Sequence, residues 1–243
     1  MAMIPAGMVL QHLLVFVLIV VMPLWDRYEI PRLKASTEPR KKIRYYGKIV
    51  TVLWVLALGA VLTIGPKTAV TTPVGPVEMG WLGVGTRGRA VVLGMIAGIM
   101  GALFIPAVMA VWNTKLREKS GKAAKRLGFL LPSTGEERQW WWAICLTAGI
   151  CEEIVYRGFL IHYWRVAPFH LSVTWALVVS AAIFGIGHLY QGIAGGVQTA
   201  MLGFLLGALF LITGDLLVPM MVHAVLDLRA LLLLPEGFET AHP

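Results

Sequence analysis

The chain has 243 residues, of which 58% are hydrophobic and only 14% charged, with a net charge of +8. Soluble domains carry about 25% charged residues, so this composition excludes an ordinary soluble protein and points to a membrane. The basic residues cluster between apolar runs, the positive-inside pattern, which makes anionic lipid headgroups rather than nucleic acid their expected partner.

Seven apolar runs, each about as long as a bilayer core requires, predict spans at 7–25, 49–65, 89–112, 140–163, 171–190, 194–213 and 216–234. Nothing alternates with period two, and a lipid-exposed backbone must satisfy itself internally. The predicted fold class is therefore all-α, a polytopic transmembrane helical bundle of about seven to eight spans. The first run lacks a basic leader and a small-residue cleavage site, so it is expected to be a retained span rather than a signal peptide.

The loop 26–48 holds eight Lys/Arg against three acids, and the loop 114–139 holds seven against three. Both are expected on the cytoplasmic side. Between them, 66–88 contributes only Lys67 and Arg87. The second basic loop also divides the chain into a three-span region (1–139), a four-span region (140–234) and a short tail (235–243). The first three spans are expected to hold no acid. The last four hold Glu152, Glu153, Arg157, His188, His223 and Asp227. Gly94 with Gly98, and Gly203 with Gly207, have the spacing of close helix packing. Cys145 and Cys151 fall on roughly opposite sides of one helix and read as small apolar residues.

Charged side chains inside a span are costly, about 2.5–3.5 kcal/mol each on insertion scales, and normally pair or line a functional cavity. In GICEEIVYRGFLIH, Glu153 and Arg157 are four residues apart and share a helix face, acid before base. Glu152 points about 140° away from Arg157 at about 100° per residue. Arg157 is therefore expected to neutralise Glu153, leaving Glu152 to find a partner on another helix or in water. His188, one turn after Phe184, and His223, one turn before Asp227, are the partners on offer. A buried carboxylate beside imidazoles is a competent general base.

Other signals are weaker. GVGTRG at 83–88 has the form G-x-G-x-x-G but no preceding strand, so no dinucleotide site is expected. Gly214–Asp215 sits at a predicted turn, without the second intramembrane Asp that an aspartyl protease needs. No serine has a nucleophile context. His12, His162 and His170 lie near span ends and are expected to be interfacial.

The motifs EExxxR (Glu152, Glu153, Arg157), FxxxH (Phe184, His188) and HxxxD (His223, Asp227), in this order on separate spans, resemble the CPBP, or Abi, family of intramembrane proteases, which includes the type II CAAX prenyl endopeptidases and many bacterial relatives. The resemblance covers about 140–233. It implies a helical intramembrane endopeptidase in which Glu152 activates water, His188 helps to hold it, and His223 and the residue at 227 stabilise the oxyanion. Glu153 and Arg157 would support the site. Family members often carry Asn where this chain has Asp227, and an ionised Asp donates no hydrogen bond, so Asp227 is expected to orient His223 or to stay protonated. A metal-free glutamate mechanism without a cofactor is favoured. The alternative is zinc on Glu152, His188 and His223, although the H-E-x-x-H signature is absent.

The implied partners are the lipid bilayer and a membrane-associated peptide or protein substrate, with no nucleic acid. The implied setting is a bacterial cytoplasmic membrane, and the implied roles are peptide maturation, sorting or bacteriocin self-immunity. From other classes, a proton-coupled transporter or a non-catalytic scaffold would also place Glu, His and Arg in spans. A transporter favours inverted repeats and broken helices at matching positions, and the chain shows neither.

Overall fold

The computed structural model describes residues 6–38, 40–71, 86–113, 115–116, 128–166 and 168–233. The predicted tail, residues 235–243, lies outside them, as do the centre of the second basic loop and the start of GVGTRG.

The architecture is an all-α helical bundle. α1 (Ala6–Phe16) passes through a π-helical turn (Val17–Val21) into α2 (Met22–Lys34), and α3 is Lys41–Ile64. A short α4 (Pro66–Val70) precedes α5 (Thr86–Trp112). α6 (Gly135–Glu153) continues through a second π-helical stretch (Ile154–Leu160) into α7 (Ile161–Arg165). α8 is Val173–Ile186, α9 is Ile193–Thr213 and α10 is Leu217–Leu233. Among the described residues the only extended pairing is an isolated bridge between Thr71 and Asp215, beside which Leu216 N donates to Val70 O at 3.1 Å.

By length and composition, three helical stretches among the described residues are long and apolar enough to cross a membrane: Gly7–Lys34, Lys41–Ile64 and Ile193–Thr213. Val173–Ile186 and Ile96–Ala110 are shorter apolar helices. The outer faces carry Leu13, Phe16, Leu24, Val55, Leu58, Leu62, Trp175 and Met201, all exposed. Such a surface suits hydrocarbon and not water. The protein is an integral membrane protein.

Several boundaries differ from expectation: α3 begins at Lys41 rather than at 49, and α8 ends at Ile186 rather than at 190. The first helix does not stop at residue 25 but runs to Lys34, so much of the first basic loop is helical. The fourth helix starts at Gly135 because its first turn is capped from both sides. Thr134 Oγ1 accepts from Glu137 N at 3.2 Å, and the Glu137 carboxylate accepts from Ser133 N at 2.7 Å and Lys42 Nζ at 3.1 Å. These bonds satisfy amide donors left free at a helix start. Burial alone would raise the Glu137 pKa, but the bonds from Ser133 and Lys42 outweigh it and hold this carboxyl below its usual range.

α6 is the central element, packed on α3 and α10, while α8 and α9 pair beside the π-helical stretch. The close approach of α6 and α10 depends on Gly149. A Cβ there would lie 2.8 Å from Ala224 Cβ and 2.9 Å from Ala224 N. Gly158 is equally constrained, since a Cβ would lie 2.0 Å from Ala69 O of α4. Gly203 and Gly207 also sit in tight contacts, against Phe184 and Leu177. Gly94 and Gly98 do not: among the described residues nothing lies within 4 Å of where their Cβ atoms would be. The packing expected of that pair is corrected accordingly; small residues here face outward.

Candidate active site

One register dictates the site. Gly149 lets α10 settle against α6, and one turn further on, Glu153 meets His223, the residue next to Ala224. His223 Nδ1 donates to Glu153 Oε1 at 2.7 Å. Both side chains are buried, Glu153 completely.

Arg157 shares that acid. Its Nη1 lies 2.8 Å from Glu153 Oε1, without the alignment of a hydrogen bond, so the contact is Coulombic. Nη2 donates to Gly203 O on α9 at 3.3 Å, and the guanidinium stacks 4.5 Å from the Phe184 ring centroid. Glu153 Oε2 is buried without a hydrogen-bond partner among the described residues. Glu153 thus holds two cationic or donor groups on one oxygen. Sequence reasoning assigned it Arg157 alone and sent His223 towards Glu152. The hydrogen bond of His223 goes to Glu153 instead, because α10 crosses α6 on the Glu153 face.

Glu152 faces elsewhere. Its side chain, 15% exposed, lies 3.8 Å from His223 Nε2, beyond hydrogen-bond range. His223 Nε2 is also 3.6 Å from Asp227 Oδ2. Glu152, His188, His223 and Asp227 all line one cavity of about 380 Å³, together with Phe184. Glu153 and Arg157 lie behind that wall.

His188 was expected on a helix ending at 190. α8 ends at Ile186 instead, and His188 occupies the turn beyond it. There His188 Nδ1 lies 2.8 Å from Phe184 O. A carbonyl only accepts, so Nδ1 carries the proton and Nε2 is left as the acceptor of the neutral ring. The Phe184 and His188 rings pack edge to face, 4.6 Å apart.

The π-helical stretch Ile154–Leu160 begins directly after the two glutamates, and all seven of its residues are buried. Such wide turns cluster at functional sites because they re-aim side chains within an otherwise regular helix. No residue pattern in EEIVYRG announces one.

Sequence reasoning also missed Asp26. It was placed in a loop, but it lies on α2, only 8% exposed, and lines the same cavity. The expectation of no acid in the first three spans is corrected by the continuation of this helix. Leu18, Met22 and Asp26, each four residues apart, all line the cavity. That i, i+4, i+8 spacing was the available signal.

Among the described residues no three His, Cys, Asp or Glu side chains are placed to hold a metal ion. The Glu152, His188 and His223 side chains do not come together as such a ligand set. Asp215 Oδ1 accepts from Leu217 N at 2.9 Å and so caps α10. His12 Nδ1 contacts the Tyr163 hydroxyl at 3.2 Å in an aromatic cluster that includes Phe169.

The fold and site define a membrane-embedded helical bundle that presents carboxylate and imidazole groups to an internal cavity. Residues 135–229 match the family model described as type II CAAX prenyl endopeptidase Rce1-like, so over that segment the chain is similar to this family. No curated protein and no solved structure matches the chain.

Proposed function

We propose that the protein is a glutamate-type intramembrane endopeptidase in which Glu152 activates the attacking water. One observation carries this reading. Of the two adjacent glutamates, Glu153 is taken up by Arg157 and His223, while Glu152 faces the cavity with no hydrogen bond among the described residues.

A water held between the Glu152 carboxylate and His188 Nε2 is polarised for attack. Glu152 takes its proton as the oxygen adds to the substrate carbonyl carbon. The resulting oxyanion is stabilised by His223, whose Nδ1–H stays hydrogen-bonded to the Glu153 carboxylate while Nε2–H points to the developing charge. Buried Glu153 favours that imidazolium, as a carboxylate behind a catalytic histidine does elsewhere. Asp227 orients the same ring from the other side. Collapse of the intermediate breaks the C–N bond, and the proton on Glu152 passes to the leaving amine. The products are a new carboxylate and a new amino terminus. The substrate is a membrane-associated protein or peptide, and the setting is a bacterial cytoplasmic membrane in which cleavage serves maturation, sorting or self-immunity.

The test compares peptide termini in membranes and culture medium of cells carrying the wild type or Glu152→Gln. The reading expects precursors that persist uncut only in the variant. Identical termini at equal protein levels would count against it, and a solute-flux assay would then test transport.

A further inference from the structure

The cavity wall holds two charged groups that the proposed chemistry does not use, Asp26 and Arg229. Asp26 is only 8% exposed, and its carboxylate makes no hydrogen bond or ion pair with any described residue. The other charged groups across the cavity each have an opposite charge near them. His223 has Glu153, Glu152 and Asp227 around it, and Arg229 lies in the field of Asp227. The charged group that Asp26 feels is Glu152, of its own sign, and the other titratable neighbours around it are the hydroxyls of Tyr45, Tyr156 and Tyr190. Leu18, Met22 and Ile49 line the same cavity.

A buried carboxylate without a cation costs several kcal/mol, and chains keep such groups where a partner arrives. Asp26 also opens the segment that carries the first basic loop, the side on which membrane-associated peptides concentrate their own Lys and Arg. We propose that Asp26 is a specificity-determining residue that receives the cationic side chain of a lysine or arginine in the substrate peptide. The inference rests on the peptidase reading and adds its substrate class: membrane-anchored peptides with a basic residue close to the cleaved bond. Glu152 attacks the backbone through water, while Asp26 fixes the register of the peptide by its charge.

The test uses the full chain in lipid nanodiscs and labelled membrane-anchored peptides that differ only in lysine against norleucine, with the substituted position scanned along the peptide. Binding is measured by fluorescence anisotropy in the Glu152→Gln background, which cannot cleave and removes the competing acid. At one position the lysine peptide should bind at least about tenfold more tightly than its norleucine twin, as a buried charge pair requires. Adding Asp26→Asn should bring the ratio close to one, and Asp26→Glu should restore it. On the wild type, n-hexylamine should displace the lysine peptide where n-hexanol does not, which needs no variant to fold.

No lysine preference at any position, or one that survives Asp26→Asn, overturns the inference. Cleavage separates it from the reading on which it rests. If the wild type cuts both peptides equally, the cation site fails and the peptidase stands. If it cuts neither, yet binding still depends on Asp26, the peptidase reading fails and the cation site stands.

Discussion

Replacing Arg157 with methionine removes the charge facing Glu153 and keeps most of the apolar stem. Arg157 is 2% exposed and Glu153 fully buried, with 2.8 Å between Nη1 and Oε1. Removing one member of a buried pair typically costs about 3–5 kcal/mol, because the other charge stays behind. The lost donor to Gly203 O and the lost stacking on Phe184 act in the same direction. Methionine recovers part of the packing, so we expect about 3–5 kcal/mol in all. For a protein of this size that is a fall in thermal midpoint of roughly 6–20 °C. The assay is thermal unfolding in nanodiscs, with Glu153→Gln and the double variant completing a cycle. The double variant should lose less than the sum of the two single ones, since no charge is then stranded. A midpoint for Arg157→Met within about 2 °C of wild type, less than about 1 kcal/mol, would refute the claim that this pair holds the interior together.

Other expectations follow from the same geometry. Glu152→Gln should change stability by less than about 1 kcal/mol, since the side chain has no ion pair closer than 3.8 Å to lose, while cleavage disappears. Gly149→Val should lower the midpoint and cut activity at least about tenfold, because its Cβ already meets Ala224 at 2.8 Å and must part α6 from α10, drawing His223 off Glu153. Circular dichroism should show the helices retained. Glu137→Gln tests acid sensitivity. The folded-state pKa of Glu137 is depressed below the ordinary value of 4.5, so its stabilising effect is complete above that value and is lost as pH falls through the folded-state pKa. Unfolding measured from pH 7 down to pH 3 should therefore show a smaller acid-induced loss in Glu137→Gln than in wild type.

Much of the fold was legible because hydropathy is a direct record of a bilayer's demands. The helices follow the apolar runs in order, and Glu153 with Arg157 could be paired from spacing alone. What spacing within one helix cannot supply is which helix crosses which face. His223 was drawn towards Glu152 because that acid lacked a local partner, and only the Gly149–Ala224 approach sends its hydrogen bond to Glu153. The π-helical stretch was hidden because Ile154–Leu160 is as apolar as any regular helix interior. His188 was put inside a helix because Gly185 and Gly187 did not by themselves mark where α8 ends. Asp26 was lost through a boundary drawn where hydropathy falls, although the helix carries on for two more turns. Gly94 and Gly98 show the converse error, since small residues at a packing spacing also occur where nothing packs.

The central claim is that Glu152 activates water for peptide hydrolysis. The most direct measurement takes purified wild type and Glu152→Gln in vesicles with a precursor identified from the comparison of termini. New carboxyl and amino termini are then followed by mass spectrometry in water enriched with oxygen-18. The account predicts cleavage by the wild type with solvent oxygen in the new carboxylate, and none by folded Glu152→Gln. Cleavage by Glu152→Gln at the wild-type rate would contradict it.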